Sequence, residues 1–186
     1  VVAGAAIVKV GKDAIASYAD YEQLVGGVET LFKDSADVVM GYAQQAYKTA
    51  GLSANEYMET VTSFSASLLQ SLGGNTAEAA KIADMAITDM SDNANKMGTD
   101  MEMIQNAYSG FAKQNYTMLD NRKLGYGGTK EEMERLIADA NKVKKANGEM
   151  ADLSIDSFAD VTEAIHIVQG EMGITGTTAE EASTTI

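Results

Sequence analysis

A helix-start signal recurs along this chain, as a serine or threonine followed three residues later by glutamate. We assign it to four pairs: Ser53 with Glu56, Thr99 with Glu102, Thr129 with Glu132, and Thr178 with Glu181. In such a capping box the hydroxyl accepts a hydrogen bond from the third amide of the helix, and the glutamate accepts one from the amide of the serine or threonine. Each pair therefore predicts the start of an α-helix.

The stretch from residue 51 to residue 111 predicts three packed helices, because its apolar residues recur at steps of three and four. The predicted inward faces are Tyr57, Val61, Phe64, Leu68 and Leu72 in the first helix; Ala79, Ala83, Ala86 or Ile87, Met90, Ala94 and Met97 in the second; and Met101, Ile104, Tyr108 and Phe111 in the third. Thr60 and Gln70 are predicted to face away from this core. Glycines end the first helix at Gly73 and Gly74 and the second at Gly98, and Asn75 or Thr76 caps the second.

The flanking regions have the same helical period. Residues 13–50 predict helices with a break or bend at Gly26 and Gly27, since glycine weakens a helix by about 1 kcal/mol relative to alanine. Beyond residue 111 the sequence predicts a short helix over 114–124, a flexible glycine loop over 125–128, a helix over 130–146, a connector over 149–156, a helix over 157–172, and a last helix starting at Thr178. The inward face of the helix over 157–172 is Phe158, Val161, Ile165, Val168 and Met172.

These elements predict an all-α fold, a compact bundle of about seven to eight amphipathic helices joined by glycine-rich turns. The chain has 186 residues, enough for one substantial core, and it contains no proline to kink a helix. We expect residues 51–186 to form a helical core domain and residues 1–50 to form an N-terminal helical segment that continues from an upstream region. A single domain over residues 1–186 is the alternative.

Composition excludes several classes of function. The chain contains no cysteine, so it has no disulfide framework and no thiolate metal site. Its formal net charge of −13 disfavours stable nucleic-acid binding, which relies on lysine and arginine at the phosphates. The apolar run at residues 1–10 is shorter than the roughly 20 residues that a membrane span requires, so membrane contact is expected only through the upstream flank.

The sequence predicts no catalytic residue, no cofactor site and no metal site. The densest group of oxygen ligands is Asp89, Asp92, Asn93, Asn95, Asp100 and Glu102. Its spacing disagrees with an EF-hand, because Ala94 stands at the sixth position and Asp100 at the twelfth. His166 is the only histidine and lies beside an apolar helix face, which favours a structural role.

Eleven methionines suggest an adaptable surface, because the flexible thioether packs against different partners. Most of them fit the inward helix faces and are predicted to fill the core. Met85 and Met103 lie off these faces, so we expect them to contact a partner. Tyr126, in the glycine loop, is the third predicted contact residue.

Five stretches of the chain resemble the conserved core region of phage tail tape measure proteins, also called phage-related minor tail proteins, of siphophages and prophages. The stretches are residues 21–32 (YEQLVGGVETLF), 46–53 (AYKTAGLS), 92–98 (DNANKMG), 110–115 (GFAKQN) and 173–186 (GITGTTAEEASTTI). The last of them is the most specific. Together with the helical hairpin after residue 53, they extend over nearly the whole chain.

This resemblance implies a structural protein and no catalytic residue. It implies a role in tail length determination, tail assembly and DNA ejection, inside the virion tail and in the host cytoplasm during assembly. The implied partners are further copies of the chain in a small homo-oligomer, tail tube and tail tip proteins, and tail assembly chaperones.

Two other functions remain open from the residues alone. One is a cell-wall hydrolase that uses two carboxylates such as Glu56 and Glu102, since glycosidases need a carboxylate pair. The other is a membrane-active helical module that acts through residues 1–10.

Overall fold

The computed structural model describes residues 18–184, and within this range it contains helices and no strand. The helices are α1 over residues 18–32, α2 (Ala36–Ala50), α3 (Ala54–Ser71), α4 (Thr76–Met97), α5 (Met101–Ala112), α6 (Lys130–Ala146), α7 (Phe158–Glu171) and α8 (Thr177–Thr184). Two short 3-10 turns lie at Lys33–Ser35 and Leu119–Arg122. The predicted all-α bundle is confirmed.

Helix α4 lies at the centre of the bundle and packs against α2, α3, α5, α7 and α8. The predicted inward faces form one buried core that also includes Val28 and Phe32 of α1. Four predicted core residues are only half-buried: Leu72, Ala94, Met97 and Met101. Met172 is 45% exposed, because α7 ends one residue before it.

Thr60 was predicted to face outward, but it is buried at 5% exposure. Its hydroxyl donates to the Glu56 carbonyl at 2.7 Å and accepts a hydrogen bond from Gln105 Nε2 of α5 at 3.0 Å. Both hydrogen bonds satisfy the hydroxyl, so it can lie between α3 and α5 without an unpaired polar atom.

The predicted break at Gly26 and Gly27 is wrong, since α1 runs through both residues. A Cβ atom at Gly27 would lie 3.4 Å from Thr62 Cγ2, an ordinary contact distance, so α1 passes next to α3 at this residue. The chain turns later, at Lys33–Ser35, where Lys33 has a φ of 46°. The weak helix propensity of two glycines is therefore not enough to break α1, because tertiary context routinely overrides propensity.

The capping box at Ser53 is confirmed in full. The Ser53 hydroxyl accepts from the Glu56 amide at 3.2 Å, and the Glu56 carboxylate accepts from the Ser53 amide at 2.8 Å. Asn75 caps α4 by accepting from the Glu78 amide, as one of the two predicted alternatives.

The box at Thr99 is wrong, because Asp100 caps α5 through the Met103 amide. The Thr99 hydroxyl instead donates to Asn93 Oδ1 at 2.8 Å. Tertiary structure thus provides Thr99 with a buried acceptor that competes with the local cap.

The box at Thr129 is half correct. Thr129 accepts from the Glu132 amide, but the Glu132 carboxylate accepts from the Gly127 amide and from Arg135 rather than from Thr129. The box at Thr178 is wrong, since α8 begins one residue earlier at Thr177.

The region after α5 contains less α-helix than predicted. The predicted short helix over 114–124 is a turn followed by the 3-10 turn Leu119–Arg122. Contacts hold the adjoining glycine loop in place, since Arg135 Nη2 donates to the Gly125 carbonyl at 2.9 Å. A Cβ atom at Gly128 would lie 2.2 Å from the Thr117 carbonyl oxygen, so only glycine fits there.

Loss of a cap should destabilise the bundle measurably. We expect Ser53→Ala and Thr129→Ala each to lower the free energy of unfolding by about 0.5 to 2 kcal/mol, because a helix-terminal amide loses its acceptor. Gln70→Ala, at an exposed helical site, is the control. Urea titration measures the free energy of unfolding of the three variants. If Ser53→Ala and Thr129→Ala lower it no more than Gln70→Ala does, the assigned helix starts are wrong.

Candidate functional site

A cluster of polar side chains lies inside the bundle, where α4, α7 and the 3-10 turn Leu119–Arg122 meet. Its members are Asp89, Asp92, Asn93, Arg122 and Gln169, and each is 0% exposed. We call this set the polar core. Burying so many polar groups is costly unless they form hydrogen bonds with one another.

Asn93 and Gln169 connect the three elements. Asn93 Nδ2 donates to the Arg122 carbonyl at 2.9 Å and to Gln169 Oε1 at 3.2 Å. Gln169 Nε2 donates to the Asp89 carbonyl at 3.1 Å. The side-chain amides of Asn93 and Gln169 therefore connect α4 to α7 and to the turn between α5 and α6.

Arg122 is the largest fully buried side chain in the described part of the chain. Its Nη2 donates to Gln169 Oε1, and its guanidinium lies over the Tyr108 ring with its carbon 4.6 Å from the ring centre. Within residues 18–184 its Nε and Nη1 have no hydrogen-bond acceptor. Its positive charge acts through space on Asp89, where it lowers the carboxyl pKa against the larger raising effect of burial.

Asp89 pairs with His166 of α7. His166 Nδ1 lies 3.0 Å from both carboxylate oxygens of Asp89. This hydrogen bond raises the pKa of His166, with smaller contributions from Asp89, Glu163 and Asp92 charges and an opposing effect of burial. Burial is the main cause that raises the pKa of Asp89. The predicted structural role of His166 stays a prediction, and this pairing favours it.

The histidine predicts how stability depends on pH. Since the folded pKa of His166 is raised, its stabilising contribution is complete below the unfolded pKa of about 6.5 and is lost as pH rises through the higher folded value. The raised pKa of Asp89 acts in the same direction. We therefore expect the free energy of unfolding to increase from about pH 8 to about pH 6.

Urea titrations at several pH values test this expectation. His166→Gln should remove most of the change, because His166 is the only histidine in the chain. An unchanged pH profile in His166→Gln would show that other groups produce it.

A cavity of about 410 Å³ opens beside His166, between α4, α6 and α7. Ile82, Met85, Val143 and Ile167 line its apolar side. Its polar side consists of Glu78, Lys81, Lys144, Asn147, Glu149, Glu163 and His166. Lys144 Nζ lies 2.8 Å from Glu163 and 3.8 Å from Glu149, so ion pairs already neutralise part of this lining.

The three predicted contact residues lie at different places. Met85 is half-buried in this cavity, whose lining includes neither Met103 nor Tyr126. Met103 is 45% exposed in the first turn of α5. Tyr126 is half-buried, with Arg135 over its ring and its hydroxyl donating to Asp139 at 2.6 Å. The partner role of all three stays a prediction.

Members of the oxygen-rich group considered for calcium form hydrogen bonds with other residues of the chain. Asp89 pairs with His166, Asp100 caps α5, and Asn95 donates to Glu181 at 2.6 Å. Among residues 18–184, no group of three or more acidic or histidine side chains is arranged to hold a metal ion.

The carboxylates considered for glycoside hydrolysis are both exposed. Glu56 accepts the Ser53 amide of the capping box, and this hydrogen bond lowers its pKa. A general acid needs a raised pKa instead. The geometry of Glu56 therefore suits a helix cap.

Sequence reasoning did not identify the polar core. Asn93 falls on the predicted inward face of α4, three residues after Met90, and Gln169 falls four residues after Ile165 on α7. A polar residue in register with an apolar face is the signal that could have found both. Arg122 carried no such signal, because it stands in the polar run 120–123 and in register with no apolar helix face.

None of the described helices is both long enough and apolar enough to cross a membrane. No family model, no curated protein and no solved structure matches this chain.

Proposed function

We propose that this chain is a structural and assembly module of a phage tail tape measure protein, with roles in tail length determination, tail assembly and DNA ejection. Two of the stretches that carry the resemblance bond to each other: Asp92, in residues 92–98, accepts hydrogen bonds from Gly176 and Thr178, in residues 173–186. This contact is the observation that carries the proposal. Both stretches are therefore parts of one folded unit, as expected of one conserved region.

The all-α bundle also supports a structural role. Its polar core is occupied by contacts between helices, and its carboxylates serve as caps and ion-pair partners. The proposed partners are further copies of the chain, tail tube and tail tip proteins, and tail assembly chaperones. The proposed location is the interior of the virion tail, after a period in the host cytoplasm during assembly.

An in-frame deletion of residues 157–172 in a phage that encodes this chain tests the proposal. Because the deletion removes α7, and with it Gln169 of the polar core and His166, we expect particles without tails or with tails of altered length in electron micrographs. Gln70→Ala is the matched control and should give normal tails. Normal tails in the deletion strain, together with absence of the chain from purified virions by mass spectrometry, would refute the proposal.

Self-association is the simplest partner prediction to measure. The exposed Tyr18, Tyr47 and Met150, at 64%, 75% and 76% exposure, provide apolar surface for contact between copies. The apolar residues first considered for this role, Val1, Val2, Ile7, Val8 and Ile186, lie outside the described residues. Because the charge of −13 opposes association, added salt should increase the oligomer fraction in light scattering. A monomer at low and moderate salt would contradict the prediction.

The hydrolase alternative has a direct test. Zymography of the purified chain on peptidoglycan should give no clear band, and a band that disappears in Glu56→Gln or Glu102→Gln would replace the structural proposal with an enzymatic one. The membrane-active alternative depends on residues 1–10, which lie outside the described residues, and leakage from lipid vesicles would support it.

A further inference from the structure

Helix α6 ends at an asparagine that a glycine follows, Asn147-Gly148. No other asparagine in the sequence precedes a glycine. Asn147 is the C-cap of α6, and Gly148 has a φ of 75°, in the left-handed region. The Gly148 amide donates to the Lys145 carbonyl at 3.1 Å. The Glu149 amide donates to the Lys144 carbonyl at 2.9 Å, which completes a Schellman motif.

The Asn147 side chain is free to meet the nitrogen of the next residue. Residues 145–152 are all exposed, and within the described range the Asn147 side-chain amide has no hydrogen-bond partner. A Cβ atom at Gly148 would meet no atom within 4 Å, so no neighbouring element crowds this turn. Because glycine itself has no Cβ, its nitrogen approaches the Asn147 side-chain carbon with little steric hindrance.

Asn141, earlier in α6, differs in both respects. Its Nδ2 donates to the Leu153 carbonyl at 3.0 Å, and its Oδ1 accepts from the Leu153 amide at 3.0 Å. The residue after it is Lys142, whose side chain hinders approach to the backbone nitrogen. Asn141 is therefore an internal reference, since it is an asparagine of the same helix whose side chain is held in place.

We propose that Asn147 is a self-modification site, at which the folded chain deamidates to aspartate and isoaspartate without an enzyme. Fraying of the helix end releases the Gly148 amide from the Lys145 carbonyl. The Gly148 nitrogen gives its proton to solvent and bonds to Asn147 Cγ, and the side-chain nitrogen leaves as ammonia. Closure of this five-membered ring is favoured because both groups belong to adjacent residues.

Water completes the reaction. It adds to one of the two carbonyl carbons of the cyclic imide and breaks the bond between that carbon and the Gly148 nitrogen. Opening at Asn147 Cγ gives aspartate, and opening at the main-chain carbonyl carbon gives isoaspartate, in which the main chain runs through Cγ. Water is the only co-reactant, and no atom is oxidised or reduced. Each product replaces a neutral amide with a carboxylate.

Both products alter the end of α6. The new carboxylate lies at the helix C-terminus, where the helix dipole disfavours negative charge. Isoaspartate also lengthens the main chain by one carbon, which displaces the Gly148 and Glu149 amides from the carbonyls of the Schellman motif. Lys144, in the last turn of α6, pairs with Glu163 of α7 at 2.8 Å, so loss of this cap loosens a contact between the two helices. The inference rests on this turn and is independent of a role in phage tails.

Mass spectrometry of the incubated chain tests the proposal. The purified chain is kept at neutral pH in water enriched in a heavy oxygen isotope, once folded and once unfolded in guanidinium chloride, and is then digested with trypsin in ordinary water. Trypsin cuts after Lys142 and Lys145, so Asn141 and Asn147 lie in different peptides. We expect the folded chain to gain heavy oxygen at Asn147 at least about tenfold faster than at Asn141. No gain at Asn147 in the folded chain, whether or not the unfolded chain gains it, would overturn the proposal.

Two variants separate the reaction from its consequence. Asn147→Gln retains an amide that could close only a six-membered ring, so heavy oxygen should no longer enter at this position. Asn147→Asp carries the charge of the product without isoaspartate. The deamidated chain, isolated by anion exchange and found to contain isoaspartate by methyltransferase labelling, should unfold at a lower urea concentration than Asn147→Asp. Equal midpoints would overturn the loss of the cap.

Discussion

Replacing Arg122 with methionine should lower the free energy of unfolding by about 1 to 3 kcal/mol, because the buried Gln169 Oε1 loses a charged donor and the Tyr108 ring loses the guanidinium above it. Methionine retains much of the side-chain volume, so the variant measures the loss of the charge and its hydrogen bonds with little loss of packing. Gln169 Oε1 would lose the Arg122 donor and retain only Asn93. Urea titration monitored by circular dichroism measures the change.

The other arginine of the chain provides the control. Arg135 is exposed, and its contacts with Glu132, the Gly125 carbonyl and the Tyr126 ring lie at the surface, so Arg135→Met should cost less stability than Arg122→Met. The double variant Arg122→Met/Asp89→Asn should lose less than the sum of its two single substitutions, because each single substitution already removes the attraction between the two charges. Equal losses for Arg122→Met and Arg135→Met would contradict this expectation.

Truncation of Leu68 should cost about 2 to 5 kcal/mol, because a buried leucine that becomes alanine leaves a cavity. Leu68 is 0% exposed and belongs to the same core as Phe64 and Ile104, as the spacing of apolar residues predicted. The ring of Phe64 contacts those of Tyr108 and Phe158 at centroid distances of 6.4 Å. The aromatic packing from α5 and α7 therefore limits how far neighbouring side chains can move to fill the cavity.

Gln70→Ala, two residues further along α3, is the matched control for Leu68→Ala. Gln70 is exposed, so its substitution should change the unfolding free energy little. Similar small effects of the two substitutions would mean that α3 does not pack on the core as described.

The sequence alone determined the helical class, most helix bounds and most of the apolar core. These features depend on interactions between residues close in sequence. They are the helical spacing of apolar residues, the glycines that end helices, and caps such as Ser53, whose two hydrogen bonds join residues three positions apart. Leu68 and Ile104 could be placed inside for the same reason, since a helix with an apolar face must bury that face.

The tertiary structure decided where polar groups find their partners. Asp92 caps a helix 84 residues away in sequence, Thr99 bonds to Asn93 instead of capping α5, and Asp89 meets His166 across 77 residues. Gly26 and Gly27 remain helical within α1 although glycine weakens a helix. No local pattern encodes such contacts, because a polar atom bonds to whichever partner the packed helices bring within about 3 Å, and only the folded chain brings them together.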